Sequence, residues 1–207
     1  MKKTRALIGR PPAKDRPPGA TRASLIQAAA EVFAERGYAG AGIDAIAERA
    51  GVTGGAFYKH FPSKAELLLE VVEQALHALP LAEQLSSEGA ESAKFFGQLV
   101  SIYAQPEMRR LRRLAIEIHA AASRDAEAAR LLLEFNRRIH RGVSDRLRSA
   151  IAQRLLPPEL DIERTASLLL VLVMGMAHLD TLDPELLGDR AFTRFLERSV
   201  LKLLATP

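Results

Sequence analysis

The sequence predicts an all-α protein, a small N-terminal three-helix unit followed by a larger helical unit. Three observations predict it. Apolar residues recur at three- and four-residue spacing in segment after segment, and no stretch alternates as a half-buried strand would. Breaks that carry proline or glycine separate those segments. The 207 residues are 48% hydrophobic and 26% charged, enough chain to bury one or two small cores.

In order, residues 1–20 hold "GRPPAKDRPPG", with two Pro-Pro pairs and few apolar groups, which reads as a disordered or extended arm. The arm carries Lys2, Lys3, Arg5, Arg10, Lys14 and Arg16 against Asp15 alone, more than the net charge of +4 on the whole chain. From Thr21, Leu25, Ala29, Val32, Phe33 and Arg36 keep helical spacing until Gly37 stops the helix. A short helix over Ile43–Ala50 puts Ile43, Ile46, Ala47 and Ala50 on one face, and Gly51-Val52 makes a tight connection. Thr53 is an N-cap for the next helix, which Pro62 ends. Ser63-Lys64-Ala65-Glu66 is a capping box that opens a helix towards His77. Beyond Pro80, helices are expected over about Ser92–Gln105, Pro106–Ser123, Ala126–Leu156, Asp161–Leu182 and Asp189–Leu204. The expected organisation is an arm at 1–20, a first unit at 21–66 and a second at 67–207.

Several functions are excluded or disfavoured. There is no Cys, hence no disulfide, thiolate metal site or cysteine nucleophile. No G-x-S-x-G, no H-E-x-x-H and no glycine-rich phosphate loop after a strand is present, so neither catalysis nor a cofactor or metal is expected. Leu168–Ala177, "LLLVLVMGMA", is too short to span a membrane and reads as a buried helix. The basic N-terminus lacks the apolar stretch of a signal peptide, so a soluble cytoplasmic protein is expected. Residues 65–104 are net acidic and 105–155 Arg-rich, which suits complementary solvated helix faces or an anion site in the Arg-rich segment.

The stretch that carries chemistry is Gly51–Lys64, "GVTGGAFYKHFPSK". Two short helices joined by a tight turn make a helix-turn-helix. The second, Thr53 to about Lys59, is too short to hold itself together in water, so Phe57 must anchor it from its inner side. Its outer side begins with Thr53, Gly54 and Gly55, where bare backbone allows close approach and free N–H groups favour phosphate. Tyr58, Lys59, His60 and Lys64 add donors behind it.

Residues 21–70 resemble the TetR family of bacterial transcriptional regulators through "AAAEVFAERGYAG", "IDAIAERAGV" and "GAFYKHFPSKAELL", in that order and spacing. The resemblance implies that the second helix of the motif enters the major groove of double-stranded DNA. It implies phosphate contacts from Tyr58, His60 and Lys64, and puts Thr53, Gly54, Gly55 and Lys59 near the bases. Two positions depart from the pattern: Gly42 replaces the usual Ser or Thr before the Ile43 helix, and Gly54 replaces a frequent Lys. "GRPP" also resembles the core of an AT-hook, which would lay Arg10 in an A·T minor groove; Ile8 stands where that motif has another arginine, and a plain cationic tail is the alternative.

In this family the C-terminal helices dimerise and enclose an inducer cavity. The segment Asp161–Leu182 is apolar nearly all round and, with Phe192, Phe195, Leu196, Val200 and Leu203, is the expected two-fold homodimer interface. A charge at Leu169 or Val173, in this buried helix, is expected to break the dimer or unfold the larger unit. Polar groups that interrupt apolar stripes are the expected cavity residues: Asn136 on the stripe Leu132, Phe135, Ile139 and Val143, with His140, Phe96, Tyr103, His119, Met174 and His178. The expected function is a ligand-responsive repressor that binds a palindromic operator as a homodimer and answers to a small-molecule inducer. A sequence-nonspecific DNA-binding protein and an all-helical enzyme are the alternatives.

Overall fold

The computed structural model describes residues 19–77 and 93–205. The arm expectation, including Arg10, therefore lies outside the described residues. Every regular element among them is helical. The chain divides into two compact units between Val71 and Val72.

In the first unit, α1 spans Ala20–Gly40 and breaks at Gly37, whose φ of 67° suits glycine. α2 spans Ile43–Ala50, and Gly51 at φ 68° closes it with a Schellman pair, Val52 N to Ala47 O and Gly51 N to Glu48 O, both 2.9 Å. α3 spans Gly54–Tyr58 and α4 Lys64–His77. Leu25, Val32 and Phe33 of α1, Ile46 of α2, Phe57 of α3, and Leu67 and Leu68 of α4 form an apolar centre at or near zero exposure. Arg22 clamps α1 to α4 with a two-pronged ion pair to Glu70, at 3.1 and 2.6 Å, and lies 5.1 Å from the Phe61 ring.

In the second unit, α5 spans Ala93–Ala104, a single 3₁₀ turn follows at Pro106–Met108, and α6 spans Arg109–Ala122. α7 covers Ala126–Ala152, α8 Ile162–Leu182, α9 Pro184–Gly188 and α10 Arg190–Ala205. α7 stops four residues short of the expected Leu156 because Arg154 turns left-handed at φ 60° and Leu155 N returns to Ala150 O. α9 was not expected; Asp183 caps it and Pro184 occupies its first turn. α5 and α10 pack closely along Gly97, where an added Cβ would lie 3.1 Å from Glu197 Cγ and 3.3 Å from Leu201 Cγ. Ser101 Oγ donates to Glu197 2.8 Å away, one turn further along α5.

By length and mean hydropathy, 1.6, α8 would also suit a membrane. Its packing says otherwise on one face and leaves the other open. Ala166, Leu169, Met176 and Ala177 are buried with α5, α7 and α10 in the core. The opposite stripe of Leu168, Val171, Gly175, His178 and Leu182 is exposed, with Val171 65% and Leu182 81% accessible. Of the two outcomes expected of a charge at Leu169, its position favours unfolding: Leu169 is buried in its own unit's core, whereas Val173 is half-buried.

Candidate nucleic-acid interface

The local fold builds the site from one buried ring. Phe57 is fully buried, 6.1 Å from the Phe61 ring and edge-on to Tyr58 at 5.3 Å. Thr53 Oγ1 accepts from Ala56 N at 3.3 Å, which fixes the first turn of α3, and Phe57 O accepts from His60 N and Phe61 N at 2.9 and 3.0 Å, which closes the last. Five residues are thereby held in a helix that propensity alone would not sustain. With Phe57 turned inward, Thr53, Gly55, Tyr58, Lys59 and His60 are exposed together, and Tyr58 is 59% accessible.

A Cβ at Gly54 would lie 3.2 Å from Asp44 Oδ1, a tight contact with the end of an exposed side chain. Gly42 is the N-cap of α2, in extended conformation and with no side-chain cap bond. Lys64 is half-buried: its ammonium donates to Tyr38 O at 2.8 Å and sits 4.3 Å from the centre of the Tyr38 ring. The cation thus bridges the segment after the Gly37 break and the start of α4. Arg49 braces the rear of α2 against Glu35, at 2.9 Å through both guanidinium nitrogens, and holds that carboxyl below its usual range.

In the second unit, the seven expected cavity residues do not line a pocket found between three of its helices. That pocket, about 540 Å³ and half-open, lies between α5, α9 and α10, and none of the seven lines it. Phe96 packs in the apolar core, edge-on to Phe95. His119 and His178 donate to carbonyls one turn back on their own helices, Ala115 O at 2.6 Å and Met174 O at 3.0 Å. His140 Nε2 reaches Ser167 Oγ at 3.1 Å and Glu163 O at 3.3 Å, and Asn136 is half-buried on α7. Met174 is half-buried on α8.

Tyr103 alone lies in a polar interior. Beside it is Arg112, 1% exposed, which pairs with the buried Asp180 at 3.0 Å and donates to Tyr103 O and, at 3.0 Å, to Gln105 O. Arg109 Nε reaches the same carboxylate at 3.4 Å. The guanidinium thus caps the C-terminal carbonyls of α5 while α8 supplies its counter-charge. Burial pushes the Tyr103 hydroxyl up to about 12, with the Arg112 charge pulling the other way. Sequence reasoning missed this pair. Asp180, an acid within an apolar run, was the available signal; Arg112 could not be told from Arg109, Arg110 and Arg113.

A short second helix pinned by one aromatic ring, with its glycines and basic groups turned outward, is a module for seating on the phosphates and groove of a DNA duplex. Comparison with known proteins specifies which. The family described as "Bacterial regulatory proteins, tetR family" matches residues 25–71, and "BetI-type transcriptional repressor, C-terminal" matches residues 98–205. Over 179 residues the chain is 31% identical to the probable HTH-type transcriptional regulator ArpR of Pseudomonas putida, covering 82% of this chain and 85% of ArpR. The HTH-type transcriptional regulator TtgR, also of Pseudomonas putida, matches at the same identity and coverage. The solved structure of Salmonella enterica GusR superposes with a TM-score of 0.75 at 26% identity, over 92% of this chain and 98% of that one. The chain belongs to the TetR family and is a DNA-binding transcriptional regulator.

Proposed function

We propose that the protein is a ligand-responsive repressor that binds a palindromic operator as a homodimer in the cytoplasm. The observation that carries the DNA-binding half is the exposed run Thr53, Gly55, Tyr58, Lys59 and His60 over a fully buried Phe57. In this reading Thr53, Gly54, Gly55 and Lys59 lie near the bases, and Tyr58, His60 and Lys64 hold phosphates. The Lys64 ammonium leaves the Tyr38 carbonyl for phosphate, or bridges both. With Gly54 bare and Asp44 beside it, few side chains reach base edges, so the shape of the duplex carries part of the specificity. Arg10 and its basic neighbours add salt-dependent affinity.

The dimer reading is supported by the open stripe on α8 and by Phe195 on α10, 57% accessible. Exposed apolar side chains on both of the last two long helices of a regulator of palindromic sites suit a second copy. Two copies related by a two-fold axis would present both α3 helices to one side of the DNA, with half-site centres about 34–36 Å apart or a multiple of it. An inducer then acts only by preferring a state with the wrong separation, because equal affinity for both states shifts nothing. The match to a repressor C-terminal family supports repression over activation.

Shift assays with specific and scrambled duplexes at stated salt test the reading. Specific binding far tighter than to scrambled duplex is expected; equal affinity for both makes the protein a nonspecific binder.

A further inference from the structure

The pocket between α5, α9 and α10 has a chemistry that the DNA-binding function does not use. α5 and α10 are zipped together through Gly97 against Leu201 and through the Ser101–Glu197 hydrogen bond. The pocket is lined by the C-terminal part of α5, by Leu187 and Gly188 of α9 and by the first turns of α10. The residues of α10 that face this opening are Arg190, Thr193 and Arg194, the continuation of the stripe that carries Glu197 and Leu201. Arg190 and Arg194 are the ionisable groups in the lining, and no acid shares it. Both are exposed, and neither has a hydrogen-bond or ion-pair partner among the described residues. The acid at the N-cap of α10 and the one on its stripe are committed elsewhere. Asp189 caps the first amides of α10, at 2.9 Å to Ala191 N and 3.4 Å to Phe192 N, and Glu197 accepts from Ser101. The lining also includes the apolar Ala104, Pro106 and Leu187, beside the polar Ser101 and Gln105.

We propose that this pocket binds an amphipathic organic anion, with Arg190 and Arg194 holding its oxyanion head and Ala104, Pro106 and Leu187 packing its apolar body. The volume, about 540 Å³, falls within the range of small-molecule sites. Two arginines one turn apart repel each other when empty, and a shared oxyanion relieves that repulsion. As a binding site the pocket stands on this geometry alone. As an effector site it rests on the ligand-responsive reading above: Arg194 directly precedes Phe195, so the anion and the second copy engage the same helix from different sides.

The test uses the full chain with sodium octanoate, octyl phosphate and the uncharged control octanol, measured by calorimetric titration. Saturable binding of one or both anions is expected, with octanol much weaker; the two anions tell a carboxylate site from a phosphate site. Arg190→Gln with Arg194→Gln should weaken anion binding by roughly tenfold or more, the loss of about one charge-assisted hydrogen bond, while the melting temperature without ligand is unchanged. Octanol binding as tightly as octanoate, unchanged affinity in the double variant, or no saturable binding of either anion to the wild type would each overturn the site. A shift assay on the same samples separates the two readings. Anion binding that leaves operator affinity untouched removes the effector role and keeps the site. A free protein that does not discriminate operator from scrambled DNA defeats the regulator reading instead.

Discussion

Replacing Asp180 by alanine should be among the most damaging single changes in the second unit. The side chains of Asp180 and Arg112 are 4% and 2% accessible, with 3.0 Å between Oδ1 and the guanidinium nitrogen. Removing the carboxylate leaves a cation in a dry interior with only the Tyr103 and Gln105 carbonyls as acceptors. Breaking one side of a buried pair costs about 3–5 kcal/mol. For a chain of this size that lowers the melting temperature by roughly 6–20 °C. The exposed pair Arg130–Glu134, 56% and 55% accessible at 2.9 Å, is the control: Glu134→Ala should cost about 0.5 kcal/mol or less. Replacing both buried partners, Arg112→Met with Asp180→Leu, should recover most of the loss, because the desolvation cost leaves with the charges. Urea and thermal unfolding of the two singles, the double and the control decide it. An Asp180→Ala loss under about 1 kcal/mol, or a double variant no better than either single, would refute the reasoning.

Other expectations follow from the same structure. The Tyr103 hydroxyl is held neutral up to about pH 12, against an ordinary value near 10, so the stability it lends is fully present below pH 10 and is lost as pH rises from there to about 12. The loss should reach about 2–3 kcal/mol, read as the difference between wild type and Tyr103→Phe in unfolding at successive pH values, and equal alkaline slopes would contradict it. Lys64→Ala should weaken binding to all duplexes alike and lower the salt slope by about one, and should also cost about 1 kcal/mol of stability through the lost Tyr38 contacts. Tyr58→Phe should weaken binding without changing base preference; a changed preference would move Tyr58 to base readout. Val171→Arg, on the exposed stripe, should give a folded monomer by sedimentation and lose operator binding, whereas Leu169→Arg, in the core, should unfold the unit. A dimeric Val171→Arg would put the interface elsewhere.

The parts of the fold that depend on neighbours in sequence were legible. Gly37, Gly51, Thr53 and Ser63 each mark a break or cap through a backbone angle or a bond spanning a few residues, and each is seen in that role. The inward turn of Phe57 followed from the shortness of α3. What was not legible depends on residues far apart in the chain. Arg112 and Asp180 meet across 68 positions, and nothing local distinguishes Arg112 from the arginines around it. The outer face of α8 could not be phased from a run with no polar side, so the buried Leu169 could not be told apart from the exposed Leu168 and Val171. That His119 and His178 bond to carbonyls of their own helices was not legible either, because a polar residue in an apolar stripe does not say what it faces.

The central claim is that this chain reads DNA through α3 as a symmetric pair. Repeated selection of duplexes from a randomised pool by the full-length protein, at near-physiological salt, tests it most directly. The account predicts enrichment of an inverted repeat whose half-site centres lie about one helical turn or a multiple apart. It also predicts that this repeat is bound roughly a thousandfold or more tighter than the unselected pool. Bound duplexes with no common sequence, or a single half-site bound as tightly as the full repeat, would contradict it.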